Sequence, residues 1–127
     1  MFNSLDSLGV VRDATVLDLF AGSGALGIEA LSRGARHVTF VDSAPRSVAA
    51  VAENLTDLGM ADRATVLRSE AFAALGSSAG SGPFDLVLVD PPYAFDQWAE
   101  LIGALAAVIA PTGVVVAVRV IGVALYG

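Results

Sequence analysis

A chain of 127 residues, 55% of them hydrophobic, is long enough for one domain built on a single sizeable core. Its net charge is −6 and all seven basic residues are arginine, a balance that argues against a broad nucleic-acid-binding surface. With no cysteine and a lone histidine, His37, a disulfide framework, a thiolate metal site and a histidine-rich metal site are excluded, and no metal is expected.

Met1-Phe2-Asn3-Ser4 lacks the basic start and apolar core of a signal peptide, so the cytoplasm is the default compartment. The first strand is predicted over residues 15–20, followed by a Gly-rich turn. A helix follows from about Gly24 to Arg33, closed by Gly34, and then a strand over residues 37–42. Ser43 suits the N-cap of the next helix and Pro45 its first turn. That helix carries Val48, Val51, Leu55 and Leu58 on one face and stops at Gly59. Residues 64–68 read as a short third strand, and residues 70–75 as one or two helical turns. The Gly/Ser stretch over residues 76–83 is expected to be the most flexible and the most tolerant of change.

Residues 85–90 form the fourth predicted strand. Asp96 can cap a helix that buries Trp98, Leu101, Ile102, Leu105, Val108 and Ile109, ended by Pro111 and Gly113. A fifth strand is expected over residues 114–120. The charge-free run over residues 101–118 reaches the length of a membrane-span candidate, but Pro111-Thr112-Gly113 cuts it in two. A buried helix followed by a buried strand explains both halves, so no membrane contact is expected.

Alternating β and α units of this length predict one α/β domain over residues 1–127, with a doubly wound, mostly parallel sheet. Ligands of such sheets bind beyond the carboxyl ends of the strands, near the point where strand order reverses. Three polar features fall at those ends: the Gly-rich turn, Asp42, and Asp90-Pro91-Pro92-Tyr93. Gly22-Ser23-Gly24-Ala25-Leu26-Gly27 matches the G-x-G-x-x-G dinucleotide pattern, and Asp42 lies 20 residues after Gly22, placed to hold a ribose. Alone, this suggests NAD. Asp18 shifts the weight, because a carboxylate beside the turn repels a pyrophosphate and attracts a cation. S-adenosylmethionine carries a sulfonium and an ammonium group, has no phosphate, and keeps an adenosine. The plainer alternative is that Asp18 caps a backbone amide and the glycines serve tight packing. Glu70 is placed to accept from an adenine amino group, or is an ordinary acid at a helix start.

Neither Pro91 nor Pro92 has an N–H to donate, so the strand ladder ends there in a stiff loop. The loop holds a carboxylate on one side and the Tyr93 ring on the other, which suits a flat substrate with an amino group on its edge, such as a nucleobase. Otherwise the prolines only end the strand and Tyr93 is a core or rim aromatic.

Asp18-Leu19-Phe20-Ala21-Gly22-Ser23-Gly24-Ala25-Leu26-Gly27 together with Val89-Asp90-Pro91-Pro92-Tyr93 resembles the bacterial 16S ribosomal RNA guanine-N2 methyltransferases, a class I, Rossmann-like family dependent on S-adenosylmethionine. The resemblance covers nearly the whole chain up to about Val118, with Phe2-Asn3-Ser4-Leu5 similar to the end of the family's first helix and Asn54 in a helix similar to its second. It implies that Asp18 and Gly22-Ser23-Gly24 hold the methionine end of the cofactor, Asp42 the ribose and Glu70 the adenine edge, with Phe20, Ser43 and Ala71 among the cofactor-binding residues. Asp90, Pro91, Pro92 and Tyr93 would hold and orient the target base, and the partner would be ribosomal RNA or a small-subunit particle, met by a monomer. Family members carry a basic segment before the helix ending in Phe-Asn, and two further strands after the fifth. The chain is therefore expected to be truncated at both ends, possessing the cofactor pocket and lacking the last strands. Two rival readings stay open: a non-catalytic cofactor-binding fragment, and the same chemistry on adenine N6 or a protein glutamine.

Overall fold

Five strands of the computed structural model, which describes residues 9–118, form one parallel sheet in the order β3-β2-β1-β4-β5. They are β1 (Thr15–Leu19), β2 (His37–Asp42), β3 (Ala64–Arg68), β4 (Phe84–Val89) and β5 (Ile109–Ala117). The helices between them are α1 (Ala25–Ser32), α2 (Pro45–Asp57), α3 (Ala71–Leu75) and α4 (Trp98–Ala106), with a short 3-10 turn at Ala61–Arg63. The chain winds outward from β1 to β3, then returns to place β4 on the other side of β1. Strand order therefore reverses between β1 and β4, the position where such sheets open a crevice.

Side-chain alternation along the strands sorts the core into two layers. Val16, Val38, Phe40, Leu86 and Leu88 face one way and pack with Leu31 of α1 and with Val51 and Leu55 of α2. Leu17, Leu19, Val41, Val87 and Val89 face the other way, against Leu75 of α3 and against Leu101 and Leu105 of α4. Burial on both faces is why these strands read as continuous apolar runs. Each fully buried Leu or Val contributes roughly 1.5–3 kcal/mol. The alternation puts Asp18 on the α1 side of the sheet, between Leu17 and Leu19 on the opposite side.

Several local expectations are corrected. The N-cap of α2 is Ala44, not Ser43, without a side-chain cap bond, and Asp42 Oδ1 accepts from the Ala44 N–H at 2.9 Å just before the helix. An Asx-type turn has replaced the serine cap. Asp96 does not cap α4; Gln97 holds that position without a side-chain bond. Leu58 and Ile102, placed on buried faces by periodicity, are 55% and 62% exposed. Each sits at the margin of its helix's apolar stripe, beyond the reach of the sheet. Ile109 belongs to β5 rather than to the helix before it. β5 starts early and absorbs Pro111-Thr112-Gly113 as an irregularity opposite Phe84 and Leu86. Proline is accepted there because β5 pairs with β4 alone among the described residues, so one side of its backbone needs no ladder donor.

The stretch over residues 76–83 is more closely packed than its composition suggests. A Cβ on Gly80 would collide with the Ala74 carbonyl, and one on Gly82 with the Val108 carbonyl. Tolerance to change is thus lost at those two glycines. The expected helix end at residues 2–5, the last residues of the fifth strand and the tail after them lie outside the described residues. Among the described residues no helix is long and apolar enough to cross a membrane.

Candidate active site

Where β1 ends, the chain makes a turn that only close backbone packing allows. Phe20 takes a left-handed φ of 59°, uncommon for a residue with a side chain. The turn closes through Ala21 N–H to the Val41 carbonyl at 3.0 Å and Gly24 N–H to the Ala21 carbonyl at 2.9 Å. Gly24, at φ 85°, caps α1. A Cβ at Gly24 would stand 3.0 Å from Val51, and one at Gly27 would run into the Phe40 ring and come within 2.9 Å of Asp18 Oδ2. Glycine at 27 thus lets α1 approach the sheet closely enough for Asp18 to reach its first turn.

Asp18 is 1% exposed, and its Oδ2 accepts from the Gly27 N–H at 3.0 Å. Burial raises its pKa to about 7; the Gly27 bond opposes the rise, while Asp90 and Asp42 add to it by charge repulsion. The amide-capping alternative for Asp18 is therefore realised. Asp18 lies behind the turn, and with its pKa near 7 the carboxyl is only partly charged at neutral pH. Asp42, at the end of β2, uses both oxygens on backbone: Oδ2 accepts from Gly22 N–H and Oδ1 from Ala44 N–H, each at 2.9 Å. It ties the glycine turn to the start of α2.

The ends of β1, β2, β3 and β4 enclose a cleft of about 180 Å³ lined by Phe20, Val41, Asp42, Ser43, Ser69, Glu70, Ala71, Asp90 and Pro92. A second hollow of about 420 Å³ shares Phe20, Ser43, Glu70, Ala71 and Pro92 with it and adds Phe72, Ala94, Phe95, Asp96 and Gln97. Phe95 stands edge-on to Phe20, with ring centroids 5.4 Å apart, and to Trp98 at 5.2 Å. These contacts fix one wall of the combined trough.

Of the residues singled out from sequence, Phe20, Asp42, Ser43, Glu70, Ala71, Asp90 and Pro92 meet in the cleft. Gly22, Ser23 and Gly24 form the turn beside it, without lining it. Pro91 is buried, and Tyr93 is 93% exposed. Val41, Ser69, Phe72, Phe95 and Gln97 were missed. Ser69 could have been found as the residue directly following β3; the Phe95 contact with Phe20 had no sequence signal.

Among the described residues, the lining of the cleft includes three carboxylates, Asp42, Glu70 and Asp90, and no lysine, arginine or histidine. Such a wall disfavours a pyrophosphate and suits a ligand bearing positive charge and amino groups. Among the described residues no group of His, Cys, Asp or Glu is placed to hold a metal ion.

The family described as "Conserved hypothetical protein 95" matches residues 1–120. A putative rRNA methyltransferase of Bacillus subtilis, YlbH, is 47% identical over 78 residues, covering 61% of this chain and 42% of that protein. The ribosomal RNA small subunit methyltransferase D of Escherichia coli is 42% identical over 84 residues, covering 66% of this chain and 41% of that protein. The crystal structure of a putative methylase from Haemophilus influenzae superposes with a TM-score of 0.79 at 29% identity, covering 90% of this chain and 74% of that one. The chain thus spans less than half the length of the two curated relatives.

Proposed function

The chain belongs to the conserved hypothetical protein 95 family, and from that membership together with the crevice we propose that it transfers a methyl group from S-adenosylmethionine to the exocyclic N2 of a guanine in 16S ribosomal RNA. One observation carries the reading. The strand reversal brings Asp42 and Glu70, suited to an adenosine, into one cleft with Asp90 and Pro92, suited to a planar amino group, and no described residue of the lining is a cation.

In this reading the Gly22–Gly24 turn takes the methionine end, whose positive charge would favour the ionised form of Asp18 behind the turn. Asp42 faces the ribose; each of its oxygens has a further lone pair beyond the bond it accepts from backbone. Glu70 and Ala71 border the adenine, with Phe20 and Ser43 alongside. The cofactor supplies a methyl group on a positively charged sulfur. The guanine leaves its stack to enter the site. Its amino lone pair is delocalised into the ring, so the nitrogen is a weak nucleophile. The Asp90 carboxylate and the Pro91 carbonyl accept the two N2 hydrogens, favour a pyramidal nitrogen and aim its lone pair. Asp90 also stands ready for the proton that the nitrogen gives up. Tyr93 offers an open ring face for the base. Alignment of the reacting atoms can lower the barrier by roughly 7–11 kcal/mol.

The Asp90→Ala variant tests the assignment. Transfer of labelled methyl to unmethylated small-subunit RNA or particles is expected to fall about 10²-fold or more. Calorimetric affinity for the cofactor is expected to stay within a few-fold of the parent. Unchanged transfer removes Asp90 from the chemistry, and cofactor binding without transfer by the parent favours a binding fragment.

A further inference from the structure

The glycine turn is held from three elements. Asp42 at the end of β2 takes Gly22 N–H, Asp18 of β1 takes Gly27 N–H, and Asn54 of α2 reaches across to donate its Nδ2–H to the Ser23 carbonyl at 3.2 Å. The first two contacts come from residues that the motif itself points to. The third comes from a residue 31 positions further along the chain. Asn54 is in the last turns of α2, where asparagine is a poor helix former and is best explained by a specific partner. One turn earlier on the same face, Val51 packs so closely on the turn that a Cβ at Gly24 would lie 3.0 Å from it.

The consequence falls on one peptide plane. The C=O of Ser23 and the N–H of Gly24 belong to the same planar trans unit and point in opposite directions. Asn54 holds the first at 3.2 Å, and the Ala21 carbonyl holds the second at 2.9 Å. With both ends tied, the plane cannot rotate about the two bonds that flank it, one at the Ser23 Cα and one at Gly24, whose φ is 85°. Glycines rotate most freely of all residues, so this turn has the most to lose if it is left untied.

We propose that Asn54 is a positioning residue for the cofactor, locking the Ser23–Gly24 peptide so that the turn is already formed when the methionine end of S-adenosylmethionine arrives. This rests on the methyl-transfer reading for its ligand, but the turn itself can be followed without any ligand. The isosteric Asn54→Asp variant keeps the shape and removes the donor; Asn54→Ala removes both without adding charge; Asn54→Gln keeps a donor on a longer stem. In the cofactor-free protein, amide exchange at Gly24 is expected to quicken in the Asp and Ala variants and to return towards the parent in Gln. The KM for S-adenosylmethionine is expected to rise about 3–10-fold in Asp and Ala, the size of one net hydrogen bond, with kcat within twofold. Asp weakening the cofactor despite adding a charge that attracts it would isolate the donor as the cause. Exchange and KM unchanged in both Asp and Ala overturn the proposal. If the parent binds no S-adenosylmethionine, the functional reading fails, and amide exchange alone decides whether Asn54 holds the turn.

Discussion

The two halves of the crevice are built differently. On the β1–β2 side, Gly22, Gly24 and Gly27 amides, the Ser23 carbonyl and both Asp42 oxygens all have partners within 3.2 Å. On the β4 side, the chain leaves the sheet at Asp90, buries Pro91, and then exposes Pro92 and 93% of Tyr93. A turn that must fit one small cofactor gains from being preformed, because its ordering cost is met on folding rather than on binding. A loop that receives a base drawn out of a large RNA needs an open face.

The largest expected break in this contrast comes from Asp18, at the root of the tied half. Its pKa is raised from 3.8 to about 7, so the folded chain holds that proton more tightly than the unfolded one. The stability this supplies is complete below pH 3.8 and is lost as pH rises through about 7. Urea unfolding should therefore show the Asp18 contribution falling by a few kcal/mol between pH 5 and pH 8. Asp18→Asn, whose amide oxygen can still accept from Gly27, should flatten that slope and unfold later than the parent at pH 8.

A smaller break is expected from Gly27→Val. Its Cβ would enter the Phe40 ring, and 2.9 Å from Asp18 Oδ2 the branched side chain has no room. Overpacking of this kind costs about 1–3 kcal/mol, read as a lower urea midpoint, with cofactor affinity falling alongside. The open half should respond in the opposite sense. Tyr93→Ala should leave the urea midpoint unchanged, because the ring touches little. It should weaken capture of the RNA acceptor by about 1 kcal/mol, the low end for a base–aromatic stack, and Tyr93→Phe should restore it. A loss of fold stability in Tyr93→Ala would mean that the ring is part of the core and that the contrast between the halves is false.

Much of this was legible in the chain. Strands and helices were recovered nearly to the residue where apolar runs met turn signals: His37–Asp42 and Ala64–Arg68 have their expected ends. Legibility failed where a residue's fate depended on a distant neighbour. Pro111 read as a helix stop and a gap before the next strand, yet β5 runs through it because, among the described residues, only one of its sides is paired. Leu58 and Ile102 fit the period of their helices but lie past the edge of what the sheet covers. Ser43 fitted a cap, but the helix starts after Ala44, and it is Asp42, also needed for Gly22, that bonds the Ala44 N–H.

Periodicity, glycine spacing and the two prolines were sufficient by themselves to determine a doubly wound parallel sheet with acids at its strand ends. Those signals are local, set by backbone geometry within a few residues. Only the tertiary structure decided that Asp18 turns inward to an amide, that Phe95 closes a wall with Phe20, and that Asn54 reaches the Ser23 carbonyl. The last two join residues far apart in the chain, and the first depends on how closely α1 settles on the sheet. Packing two layers onto one sheet fixes such meetings, and no repeat in the sequence encodes them.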